Sequence, residues 1–159
     1  MNYQYFILAK ALHILAIVFW IGGVAFVTTV LLPALRRDQD ESQRLAQFER
    51  LEGQFSFQAK FATLLAGATG FYMLHMTNAW PRLFEPSQWW LHLMIFIWAI
   101  FTLVLFVLEP LFLHRWFHAQ AVKNSQRTFK LLQGMHIILL SLSLTAVFAG
   151  MIGAHGYQF

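Results

Sequence analysis

The chain has 159 residues, 58% of them hydrophobic and only 11% charged, where soluble domains carry about a quarter charged residues. Eleven Lys and Arg with seven Asp and Glu cannot screen so much Phe, Leu and Ile from water, which excludes a soluble globular domain and makes lipid the fitting solvent. The net charge of +4 is scattered over short loops, so nucleic acid is excluded as a partner, and the absence of cysteine excludes disulfides, thiolate metal sites and thioether-linked haem.

Four apolar stretches are long enough to cross a hydrocarbon core, which takes roughly 20 helical residues. The first covers about residues 6–32 and holds Lys10, His13, Trp20 and the pair Gly22-Gly23. It is too long for a cleavable leader and lacks a basic start, so an uncleaved first helix is expected. Leu32-Pro33 should end it, because proline lacks the amide donor that an interior helical position needs. Residues 38–58 mix both charge signs with Leu45, Phe48, Leu51, Phe55 and Phe57. That pattern predicts an amphipathic extension of the next helix along the membrane surface.

The second span, about residues 60–78, carries Gly67, Gly70 and His75. A short turn follows from Trp80-Pro81 to Glu85-Pro86, and Trp80, Trp89 and Trp90 form an aromatic belt there. The third span, about residues 88–108, opens with His92 and stops at Glu109-Pro110. A loop with His114 and His118 leads to the fourth span, about residues 131–152, with His136, Gly150 and Gly153. His155 lies in the outer tail. The glycines mark places where helix backbones can approach closely.

The Lys and Arg bias sets the orientation. Arg36, Arg37, Arg44 and Arg50 precede the second span, and Arg115, Lys123, Arg127 and Lys130 precede the fourth. The connection between the second and third spans has only Arg82. The two longer loops are therefore expected in the cytoplasm. The expected fold is all-α: one transmembrane domain over residues 1–159, an up-down four-helix bundle with both termini non-cytoplasmic. The expected location is the cell inner membrane, in multi-pass form.

The histidines carry the functional reading. His13, His75 and His92 come from three different spans, yet each lies about six residues, or roughly 9 Å, outward of its span's midpoint. Polar groups within a span are costly and tend to mark a site. Neutral imidazoles without thiolates suit haem iron or copper. In an up-down bundle the first and third spans are diagonal, so His13 and His92 are the candidate axial pair, with His75 beside the ring as a partner or alternative ligand. Lys10, one turn from His13, is placed to meet a haem propionate, and Trp20, two turns inward, to pack on the macrocycle. Met73, Met76, Met94 and Met151 in the outer halves keep copper open as the alternative, since thioethers suit Cu(I). Separate hydrogen bonding of each histidine in a purely structural protein is the third reading. Glu49, Glu52 and Glu109 fall near the cytoplasmic ends, far from these histidines, with Glu109 a candidate proton acceptor at the inner boundary.

Lys10-Ala11-Leu12-His13-Ile14, continuing to Trp20 and Gly22-Gly23, resembles the first helix shared by copper-resistance D membrane domains and HemJ-type protoporphyrinogen oxidases. Leu31-Leu32-Pro33-Ala34-Leu35-Arg36 is closer to the copper-resistance branch, while Phe48-Glu49-Arg50-Leu51, Ala68-Thr69-Gly70 and Trp89 to His92 are similar in layout to both. The HemJ likeness implies haem b on His13 and oxidation of protoporphyrinogen IX. HemJ-type chains carry a lysine near the start of the third helix and a histidine later in it, whereas this chain reads His92-Leu93-Met94 and then an apolar run. The copper-resistance likeness implies copper binding or passage across the inner membrane, which for so small a unit implies a homo-oligomer. A redox role also implies an electron partner in the membrane or periplasm.

Overall fold

The computed structural model describes residues 3–37 and 41–156; every regular element among them is helical, joined by short turns. Helix α1 is Tyr3–Phe26; a π-helical turn, Val27–Leu31, joins it to α2, Leu32–Arg37. Helix α3 runs unbroken from Glu41 to Met76. Two short 3₁₀ turns, Trp80–Phe84 and Pro86–Gln88, lead to α4, Trp89–Leu103. A π-helical stretch, Val104–Leu113, connects α4 to α5, His114–Lys123, and α6 is Ser125–Ala154. The end residues 1–2 and 157–159 lie outside the described residues, as does the side chain of His114.

Neither Pro33 nor Pro110 ends its helix. Each is accommodated by a widened turn. In a regular α-helix the pyrrolidine ring collides with the carbonyl four residues back, and its missing N–H breaks the ladder. Here the turn just before Pro33 is π-helical, with the Leu32 N–H reaching back to the Val27 carbonyl. Pro110 sits inside the second π-helical stretch. The chain therefore runs on as a 35-residue rod from Tyr3 to Arg37 and as another from Pro86 to Phe112. The expected loop before the last helix is itself mostly helical, as α5.

Among the described residues three helices are long and apolar enough to cross a membrane: Tyr3–Arg37, Pro86–Phe112 and Ser125–Ala154. The protein is thus a multi-pass membrane protein. Its spans are apolar on the outside as well as the inside. On α1 the residues facing away from the bundle include Leu8, Leu15 and Phe19, while the buried ones are Ala9, Ala16, Trp20 and Val24. Trp20 apart, small residues inside and bulky ones outside is the arrangement lipid permits, because lipid tails accept Leu and Phe while close helix packing needs small side chains.

Helix α3 differs from the other three. Its 36 residues span about 54 Å by helical rise. Lys60, Thr63, Thr69 and His75 dilute the apolar character of its outer half. Its buried residues there are Ala59, Ala62, Thr63, Ala66 and Thr69, a small-residue strip against which α1 packs. The first half continues the second span without a break, as its sequence suggests. Of its apolar residues Leu51 and Phe57 are exposed, while Phe48 is buried in protein, with ring centroids 4.8 Å from Phe117 of α5 and 5.4 Å from Phe129 of α6.

Helix α1 packs on α3 and α6, and α4 packs on the same two, so α1 and α4 are diagonal. The cross-helix neighbours are antiparallel: Gly23 meets Phe55 where His13 meets Gly70, and Met94 meets Gly150 where Trp90 meets Gly153. At the glycines it is side chains that approach, not backbones. A Cβ on Gly67 would stand 2.6 Å from the Trp98 ring, whose Nε1 donates to the Thr63 carbonyl at 2.9 Å. Two apolar clusters result. One lies mid-bundle around Trp20, Ala59, Ile97 and Phe101. The other lies toward the α2–α5 end around Leu32, Phe48, Phe117 and Phe129.

Candidate functional site

His13 is docked into α3. Its Nδ1 is 2.9 Å from the Ala66 carbonyl oxygen and 3.0 Å from Thr69 Oγ1. A carbonyl only accepts, so Nδ1 carries the proton and Nε2 keeps its lone pair. The ring can approach because Gly70 presents no side chain; a Cβ there would stand 3.3 Å from His13 Cε1. Thr69 is oriented in turn by donating to the Leu65 carbonyl at 2.6 Å. Orientation of an imidazole through its second nitrogen is what a metal-binding histidine requires.

His92 is half-buried at the start of α4, with Nε2 donating to the Leu83 carbonyl at 2.8 Å. Its lone pair is therefore on Nδ1. Measured inward to the edge-on pair Trp20 and Phe101, His13 is seven residues away and His92 nine. By helical rise they differ in depth by roughly 3 Å. His75 is exposed near the end of α3, and Lys10 is exposed on α1. Among the described residues no three of His, Cys, Asp and Glu come together as a metal-binding group. His13, His75 and His92 therefore do not form a three-histidine centre.

Trp20 lies elsewhere than the sequence suggests. It meets Phe101 edge-on, with centroids 4.9 Å apart and planes at 84°. It lines a cavity of about 110 Å³ toward the other end of the bundle. Walls of that cavity come from α1, α3, the Val104–Leu113 stretch, α5 and α6, mostly Phe, Leu and Val, with Glu52, Ser56, Glu109 and His136 as its polar members. Ser56 Oγ donates to Glu109 Oε1 at 2.5 Å, and Lys60 Nζ lies 3.2 Å from the same oxygen. His136 Nδ1 donates to the Leu132 carbonyl at 3.0 Å, which leaves Nε2 as an acceptor. Burial first, then the charges of Glu109 and Glu49, push the Glu52 carboxyl up to about 7, against the pull of Lys60.

Sequence reasoning recognised Glu52, Glu109 and His136 one at a time but not together. The signal was the spacing Glu52, Ser56, Lys60 along one face of α3. A second recess, basic in character, is lined by Pro33, Arg36, Arg37, Arg44, Gln126 and Gln133 at the α2 end. His118 Nε2 is 3.8 Å from Glu49, and His155 Nδ1 bonds to its own helix at the Met151 carbonyl.

The chain matches no protein-family model, no curated protein and no solved structure.

Proposed function

We propose that this is an inner-membrane haem b protein of the copper-resistance D or HemJ-like kind, in which His13 supplies an axial imidazole. The observation that carries the reading is the His13 ring, oriented by its Nδ1–H bond to Ala66, with Nε2 left to ligate. His92 on the diagonal helix, at nearly the same depth, is the second ligand. It ligates through Nδ1, or through Nε2 after releasing the Leu83 carbonyl. Lys10 stands at the outer end of the same helix, where an ammonium suits a propionate. His75 belongs near the site as a hydrogen-bond partner. Bound haem supplies one-electron redox chemistry, which serves electron transfer to a membrane or periplasmic partner or a protoporphyrinogen oxidase-like reaction. The four-span orientation, with the basic α2–α5 end in the cytoplasm, is part of this proposal and rests on the Arg-lined recess and the loop charges.

Copper binding or transport is the alternative. Haem is preferred because it asks for only two imidazoles, whereas a copper centre built from His, Asp and Glu alone needs three such groups together, and no three meet among the described residues. The test is the visible spectrum of the purified protein in detergent. Wild type should show a Soret band that sharpens and shifts on reduction. His13→Ala should lose most of its haem, His92→Ala should hold it weakly in five-coordinate form, and His155→Ala should match wild type. Full haem occupancy with an unchanged spectrum in His13→Ala would reject the site.

A further inference from the structure

We infer that the inner cavity is a binding site for the headgroup of a membrane quinone or quinol, with Trp20, His136 and Glu52 as its polar contacts. The assignment rests on residues from the middle of the bundle toward its α2–α5 end and is independent of the haem reading.

Three observations converge. The first is an unmet donor. Trp20 is only 5% exposed, lines the cavity, and its indole N–H has no hydrogen-bond partner among the described residues. A buried donor left unsatisfied is costly, so such groups in folded proteins usually have a role or a missing partner. The second is a matched acceptor on another helix. His136 on α6 lines the same space and keeps the Nε2 lone pair, because Nδ1 is committed to Leu132. The third is size and surface. The cavity holds about 110 Å³ between Phe55, Phe101 and Leu139, comparable to the roughly 150 Å³ apolar cavities that take up a benzene ring.

Those features select the ligand. It must be a flat ring that fits between aromatic side chains, must accept a hydrogen bond from an indole, and must donate one to an imidazole in at least one of its forms. Carbonyl and hydroxyl oxygens at the two ends of a quinone or quinol ring satisfy this set. Glu52 suits either form, as a carboxyl that donates or a carboxylate that accepts. A fatty acid is disfavoured, because its carboxylate would face Glu52 and Glu109 together. The apolar walls receive the first part of an isoprenoid tail as it leaves toward lipid.

The experiment is equilibrium binding of radiolabelled decylubiquinone to the full-length, detergent-solubilised protein, with helicity of every variant checked by circular dichroism. Saturable binding to wild type is expected. Trp20→Phe, which keeps the ring and deletes the N–H, should bind roughly five- to tenfold more weakly, as the loss of one hydrogen bond predicts. His136→Leu should weaken binding similarly through a different helix, so the test survives a folding failure in either variant. Ala59→Phe, which fills the space, should abolish it. His13→Ala should bind as wild type does, which separates failure of this assignment from failure of the haem reading. Non-saturable uptake, wild-type affinity in both Trp20→Phe and His136→Leu, or displacement by oleate as effective as by unlabelled quinone would each overturn the assignment.

Discussion

Glu52 couples the protein's stability to pH near neutrality. Its carboxyl titrates at about 7 in the folded chain against 4.5 as the ordinary value. Below pH 4.5 the group is protonated in folded and unfolded chains alike and costs nothing. As pH rises from 4.5 to 7 the unfolded chain releases its proton while the folded one retains it, so stability falls across that window. Above 7 the full cost of a buried carboxylate beside Glu109 and Glu49 is present, and Lys60 only partly offsets it. Glu52→Gln should therefore match wild type near pH 4.5 and exceed it at pH 8, by on the order of 2 kcal/mol after allowance for solvent screening. Denaturation in mixed micelles at the two pH values checks this, and an equal difference at both would contradict it. The site was only partly visible at this scale. His13 stands out in sequence as the lone imidazole of a long apolar run. The role of Trp20 depends on which space its ring faces, and nothing local to residues 16–24 specifies that.

At the scale of elements, close packing of α3 and α4 depends on Gly67. Gly67→Ala would place a methyl group against the Trp98 ring, which is anchored by its bond to the Thr63 carbonyl. The expected loss is about 1 to 3 kcal/mol, as for other overpacked interiors, read as a lower melting temperature in detergent. Trp98→Phe combined with Gly67→Ala should recover part of it, because the smaller ring can give way. Helices themselves were legible from their apolar runs, and their ends were not. Pro33 and Pro110 read as stops because the local rule assumes regular α-geometry, and the widened turns that hold them leave no mark in the sequence. Phe48 and Phe55 read as a membrane-facing stripe because their covers, Phe117, Phe129 and Gly23, are distant in the chain. The same holds for the inner cavity, where Glu52 meets Glu109 only after α3 and α4 have packed.

For the whole molecule, the antiparallel packing and the charge bias make a single prediction about sidedness. A reporter inserted at Asn124, between α5 and α6, should be cytoplasmic, and one at Glu85, between the 3₁₀ turns, should be non-cytoplasmic. Accessibility of both from the same face of the membrane would overturn the four-span arrangement. The overall class followed from composition, since so few charges leave no means of covering an apolar chain in water. The order of packing, with α3 as the support for α1, did not, because it is set by small residues whose significance emerges only when a neighbour is pressed against them.

Helix α3 also has a consequence for biogenesis. The insertion machinery releases a segment into lipid according to its own apolarity, and α3 falls short of the three helices that qualify by themselves. Tyr3–Arg37 is synthesised first, and its Ala9, Ala16 and Trp20 face is the one α3 later covers. If α3 crosses the membrane, it enters as the second arm of a hairpin, held by a partner already in place. Fused alone to a glycosylation reporter, residues 41–76 should remain largely uninserted, and residues 1–76 should insert both arms. Gly70→Leu, which blocks the His13 contact while making α3 more apolar, should then separate the two influences. A lower fraction inserted would mean that docking to the earlier helix outweighs hydropathy.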